Sequence, residues 1–148
     1  MKKILMIVLA AALLLIAGVP AVLTVMNDGI AKDVAEKLEA FPLPEQTELL
    51  ETVSKAGKLT GNGNGMQYFG AVLLKSALPI DELKDHYSGF SDNGRMSIVE
   101  KQNGSQIGLI EHGSLAFETP VEGDGYYIVY SWGSNGGDPL CDLDLRGH

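Results

Sequence analysis

The side chains best suited to chemistry in this chain are three aspartates near its C-terminus, Asp138, Asp142 and Asp144. Hard cations such as Ca²⁺ bind carboxylate oxygens, and weak sites of this kind occur in proteins outside the cell. The spacing of the three aspartates does not match an EF-hand loop. A calcium site is therefore one hypothesis for this segment, and a solvated acidic tail is the other.

A glycine- and asparagine-rich segment, Gly61-Asn62-Gly63-Asn64-Gly65, is the second candidate. It follows neither common phosphate-binding pattern, and no helix start follows it, so a turn between two strands is favoured. Trp132 precedes another glycine-rich segment. Because loops and aromatic side chains at their ends often form contacts, the predicted binding residues are Asn62, Asn64 and Trp132.

The histidines have no spacing typical of a zinc site. A Ser-His-Asp set can be composed from Ser114, either His112 or His86, and either Asp81 or Asp85. However, no nucleophile motif surrounds Ser114. We therefore predict no catalytic residue, and a small surface hydrolase is kept as the alternative.

The charge and the cysteine content of the chain narrow the classes of ligand and the means of stabilisation. The chain has 19 acidic and 11 basic residues, for a net charge of −8. This balance disfavours binding to nucleic acid or to anionic lipid headgroups, which both reward clusters of basic side chains. Cys141 is the only cysteine, so the domain has no internal disulfide and must be stabilised by its core.

The first 26 residues read as a membrane anchor. Residues 4–26 carry no charged side chain and follow Lys2 and Lys3. As a helix rising about 1.5 Å per residue, this stretch would span roughly 34 Å, against a hydrocarbon core of about 30 Å. The two lysines predict a cytoplasmic N-terminus. The alternative is a signal peptide cleaved after Val19-Pro20-Ala21, which would give a secreted protein; the apolar run continues past that point and favours retention.

Residues 27–44 are predicted to form a juxtamembrane helix and linker that leads to an extracytoplasmic domain at 45–148. Pro42 and Pro44 end this helix. Apolar residues recur along it at helical spacing and form a single stripe: Ile30, Val34, Leu38 and Phe41.

The domain itself reads as α+β, with a mostly antiparallel sheet and one helix packed on a face. The helix begins at Pro79 and ends at Gly89. Alternating apolar residues and turn signals predict the strands. Their predicted ranges are 47–59, 66–75, 96–101, 106–111, 115–119 and 126–132. Residues 47–59 also fit a helical face ending at Gly57, and the glycine-rich turn that follows favours the strand.

Three segments carry a resemblance to a known group: GNGNGMQYFGAVLLK at 61–75, the helix at 78–87, and DLRGH at 144–148. They resemble uncharacterised small membrane-anchored proteins of Gram-positive bacteria, over roughly residues 42–148. The resemblance implies an extracytoplasmic position and a compact α+β domain. It implies no activity, cofactor or catalytic residue.

These observations together predict a membrane-tethered, extracytoplasmic domain that binds another envelope protein or a wall component. A calcium-responsive envelope domain is the remaining alternative beside the hydrolase. The sequence identifies neither the ligand nor the oligomeric state.

Overall fold

The computed structural model describes residues 2–92, 94–133 and 138–148, apart from the side chains of residues 11 and 14–17. Two short 3₁₀ turns lie near the C-terminus, at Cys141–Leu143 and Leu145–Gly147. The longer elements, in chain order, are α1 (Lys2–Glu39), β1 (Thr47–Gly57), β2 (Gln67–Ser76), α2 (Ile80–Tyr87), β3 (Ile98–Lys101) and β4 (Tyr126–Gly133).

The four strands form one antiparallel sheet in the order β1-β2-β4-β3. The predicted α+β class with a mostly antiparallel sheet is therefore confirmed. The central strand β2 is buried along almost its whole length, and this explains why its sequence carries apolar residues at consecutive positions rather than at alternate ones.

Each face of the sheet has its own apolar core. One face, which includes Phe69, Leu73 and Ile128, is covered by the long connection between β3 and β4. The other face, which includes Val72 and Val129, is covered by helices. Because side chains of a strand alternate between faces, Ile128 and Tyr130 of β4 belong to the first core and Tyr127 and Val129 to the second.

Two helices pack on the second face, where the sequence predicts one. Helix α1 continues from Lys2 to Glu39, and its residues 27–39 lie on the sheet rather than beside it as a separate juxtamembrane segment. Its buried stripe includes Val34 and Leu38, as predicted. The helix can approach closely because Gly70 lies beneath it: a Cβ there would be 2.8 Å from Cα of Ala35.

The strands predicted at 106–111 and 115–119 are wrong. These segments pair only through an isolated bridge between Gln106 and Ala116, and β3 pairs with β4 instead. The connection is held by other bonds: the amide of Gln102 donates to the carbonyl oxygens of Gly104 and Gln106. Four buried apolar side chains of this connection cover the first face of the sheet: Ile107, Ile110, Phe117 and Val121.

The N-terminal part of α1 differs from the part that lies on the sheet. Between Ile4 and Leu13, the large apolar side chains that the structure describes are 59–70% exposed. Across the described side chains, no helix combines the length and the apolar character needed to cross a membrane.

Candidate functional site

The C-terminal segment is docked against the domain, although its composition favours a flexible acidic tail. Cys141, Asp144 and Gly147 are all buried, and Asp144 is an extended residue between the two 3₁₀ turns. The backbone of this segment also bonds to the β1–β2 end of the sheet, through Lys58 N to Arg146 O at 2.7 Å and Gly65 N to Gly147 O at 2.8 Å.

A buried amide, that of Asn27 on α1, joins the helix, the sheet and the tail. Its Oδ1 accepts a hydrogen bond from the Tyr68 hydroxyl at 2.8 Å. Its Nδ2 lies 3.0 Å from Oδ2 of Asp144 and 3.1 Å from the backbone oxygen of Cys141, and it donates to both. Asn27 is fully buried, and this set of bonds satisfies its side chain without water.

Arg146 completes this cluster from the outside. Its guanidinium donates to Asp144 at 2.7 Å, to Asp28 at 2.8 Å and to the backbone oxygen of Thr24 at 3.2 Å. Hydrogen bonds from Arg146 lower the pKa of Asp144 to about 2, against the opposing effect of burial and with a further contribution from Asn27. The tail is thus fixed to the turn of α1 that contains residues 24–28.

A pocket of about 400 Å³ opens beside the docked tail and is lined by basic side chains. Lys55 uses its ammonium group to donate to the backbone oxygen of Ser114 at 2.6 Å. Lys58 is half-buried and, among the described residues, its ammonium group has no hydrogen bond or ion pair. The other basic side chains in the lining are His112, Arg146 and His148. All of these except Lys58 are already bonded within the protein. Lys58 is therefore the side chain of the lining that remains to meet an anionic group such as a carboxylate or a phosphate.

The three aspartates predicted to bind calcium have separate partners in the structure. Asp144 bonds to Asn27 and Arg146. The side chain of Asp142 accepts from the backbone amide of Met66 at 3.2 Å, and that of Asp138 from the amide of Leu140 at 2.9 Å. Within the described ranges, no three acidic, histidine or cysteine side chains are grouped as metal ligands. The calcium site stays a prediction from sequence.

The predicted binding residues lie in two different settings. Asn62 and Asn64 are exposed in the turn between β1 and β2. Trp132 is half-buried and packs edge-on against Phe69, with ring centroids 5.0 Å apart. The indole therefore belongs to the edge of the first core, and a binding role for these three residues stays a prediction from sequence.

The histidines considered for hydrolysis bond to the backbone. Nε2 of His86 lies 2.7 Å from the oxygen of Pro42, and Nε2 of His112 lies 2.7 Å from the oxygen of Gly61. In the described part of the chain, neither imidazole contacts a serine hydroxyl or an aspartate. The hydrolase alternative therefore has no geometric support here.

The basic pocket and the docked tail are the features that sequence reasoning missed. The residues of the pocket come from three distant stretches, at 55–59, 112–113 and 146–148, and no local spacing connects them. The tail does carry a local signal, the three-residue repeat of Cys141, Asp144 and Gly147. That signal is weak because an aspartate at a buried position resembles a solvated one until its partners are known.

No protein-family model matches this chain, and neither a curated protein nor a solved structure shows significant similarity to it.

Proposed function

We propose that this protein is a membrane-tethered, extracytoplasmic domain that binds a component of the cell envelope and does not catalyse a reaction. In this proposal the N-terminus lies in the cytoplasm and the uncharged residues 4–26, five of whose side chains lie outside the described part of the structure, cross the membrane. The observation that carries the proposal is the division of α1 into two parts. Residues 4–26 are uncharged, and the large apolar side chains described between Ile4 and Leu13 are exposed. Residues 27–39 instead contribute a buried face to the domain, which includes Val34 and Leu38.

Two features support retention of this segment over cleavage. The candidate cleavage site at residues 19–21 lies inside a continuous helix, whereas signal peptidases cut after an apolar region that has ended. Leu23, just beyond that site, is buried against the domain. The mature protein is therefore expected to retain residues 1–21, and its intact mass tests this directly.

The proposed contact surface is the basic pocket. Lys58 offers an ammonium group with no partner among the described residues, at the rim of a cavity in an otherwise acidic protein. A buried or half-buried cation gains most from a charged acceptor. We therefore expect the ligand, another envelope protein or a wall component, to present an anionic group there.

The tether is tested by topology in intact cells. A cysteine in place of the 73% exposed Met96 is expected to react with a membrane-impermeant maleimide, while a tag placed ahead of residue 1 is protected from added protease. The wild-type chain is the control, because Cys141 is buried. Release of the protein by alkaline carbonate, or labelling of position 96 only after lysis, would contradict the proposal.

The binding role is tested by cross-linking the full chain in intact cells and identifying what co-purifies. A saturable partner captured by wild type is expected to be lost in Lys58→Gln. The matched control is Lys84→Gln, which changes an exposed lysine on α2. Equal loss in both variants, or none in either, would exclude the pocket as the contact surface.

A further inference from the structure

The docked tail shows an inverted distribution of polar and apolar side chains. Asp144 is 2% exposed, whereas Leu140 and Leu143 are each 56% exposed and Leu145 is 75% exposed. Single exposed leucines are common on soluble domains. Three of them around one buried aspartate are not, because water favours the opposite arrangement.

The position of the tail along α1 is fixed by its hydrogen bonds. Arg146 donates to the backbone oxygen of Thr24 at 3.2 Å, and Asp144 accepts from Asn27 at 3.0 Å. Helical residues from Ile4 to Thr24 would extend roughly 30 Å, the thickness of a bilayer's hydrocarbon core. If α1 spans the membrane, Thr24 lies at the outer boundary of that core, and the tail bonded to it lies at the same depth.

We propose that the C-terminal segment 140–148, the collar, lies against α1 at the membrane surface, with Leu140, Leu143 and Leu145 inserted into the interfacial layer of the outer leaflet. This inference rests on the proposed function, since it requires α1 to span the bilayer. Leucines at that depth leave water for an apolar surrounding. Arg146, at the same level, keeps its charge paired with Asp28 and Asp144.

The occupant is a lipid bilayer because the segment that carries the leucines is bonded to α1 at Thr24, beside exposed apolar side chains of that helix. Val22, Val25 and Met26 of α1 are exposed at 48–72% beside the turn that Arg146 contacts. The driving force is apolar insertion and not attraction to anionic headgroups, because Asp138 and Asp142 lie in the same segment and the chain is acidic. Neutral lipid is therefore sufficient for the contact.

A fluorescent probe that reports polarity tests the collar in the full chain, reconstituted into vesicles of phosphatidylcholine. The probe is attached at Leu143→Cys, and in a matched control at Leu43→Cys. Leu43 is also an exposed leucine, at 41%, but it follows the far end of α1, which lies roughly 22 Å from Thr24 along the helix axis. Unmodified wild type is the labelling blank.

The probe at 143 is expected to show blue-shifted emission and quenching by lipids with a nitroxide near the headgroup, and the probe at 43 quenching by aqueous iodide only. If both are quenched by iodide while the protein resists carbonate extraction, the tether stands and the collar is excluded. Shielding at 143 from both quenchers would mean a protein contact, such as a second copy, and would also overturn it. Extraction of the protein by carbonate would remove the proposed tether itself.

Discussion

At the scale of single residues, the fold depends on a small buried polar cluster. Asn27, Tyr68 and Asp144 come from the helix, the sheet and the tail, and each satisfies a polar group of another. Buried polar groups in such a network stabilise the fold only when every member has its partner. The cluster therefore selects one position of the tail against α1, which an apolar contact alone would not specify.

Asp144 makes this cluster sensitive to acid. Its pKa is about 2 in the fold, lowered from 3.8 mainly by the hydrogen bonds from Arg146. The ionised carboxylate therefore stabilises the fold above pH 3.8, and this contribution is lost as the pH falls toward 2. We expect Asp144→Asn to cost about 2 kcal/mol in free energy of unfolding at pH 7, and the difference from wild type to shrink below pH 4, measured by urea unfolding of the full chain.

Asp142→Asn is the matched control for this prediction. It changes an exposed carboxylate of the same tail and is expected to alter the free energy of unfolding by less than about 0.5 kcal/mol. The hydrogen bond from the Gly61 amide also lowers the pKa of Glu111, so a residual dependence on pH remains in both variants. A constant gap between wild type and Asp144→Asn from pH 7 to pH 3 would contradict the assignment.

At the scale of elements, the contact between α1 and β2 depends on a missing side chain. A Cβ at Gly70 would lie 2.8 Å from Cα of Ala35 and against the helix backbone, which has no room to move aside. We expect Gly70→Ala to force α1 away from the sheet and to cost about 1–3 kcal/mol, as overpacking does in other cores.

Thermal unfolding of the full chain measures this cost, with Gly108→Ala as the matched control. Gly108 has no atom within contact distance of an added Cβ, so its substitution changes only the backbone entropy of the unfolded chain. A melting temperature for Gly70→Ala that equals that of Gly108→Ala would show that the helix is not held as close as the structure indicates.

The elements that could be predicted from the sequence are those with a bounded apolar run or a regular period. Apolar runs at 66–75 and 126–132 bounded by turn signals reproduce β2 and β4, and the helical stripe at Val34 and Leu38 is the one that faces the sheet. The segment at 106–119 also has apolar residues between turn signals, but its apolar side chains cover the sheet from an irregular loop. Periodicity reports which side chains are buried, and it does not report whether the backbone that carries them is paired.

The candidate site was less accessible to sequence reasoning, for a physical reason. Arg146 and Lys58 are brought together by a backbone hydrogen bond between residues far apart in the chain, Lys58 N to Arg146 O. Similarly, the burial of Asp144 depends on Asn27 at the other end of the chain. Neither contact leaves a local pattern in the sequence. The sequence therefore predicts a solvated tail and gives no indication of the pocket.

At the scale of the whole molecule, α1 joins two parts that the sequence separates. Pro42 and Pro44 predict a domain beginning at residue 45, but the helix that precedes them supplies one layer of the second core. A chain of residues 45–148 would lack Leu38 and Phe41, which pack in the same core as Val72 and Leu74. It would also leave Tyr68 and Asp144 without Asn27.

Truncation of the chain tests whether α1 and residues 45–148 fold as one cooperative unit. Residues 22–148 retain Leu23, Val34 and Leu38 and are expected to unfold in one cooperative transition. Residues 45–148 lose the burial of these three side chains, at about 1.5–3 kcal/mol each, which is comparable with the total stability of a domain of about 5–15 kcal/mol. We expect this shorter chain to show no cooperative transition in urea, followed by circular dichroism. A cooperative transition at the midpoint of the longer chain would instead make α1 an attachment to a domain complete without it. If the shorter chain fails to fold, the same helix both anchors the protein and completes its core. Replacing α1 beyond residue 22 with a different anchor helix would then unfold the domain.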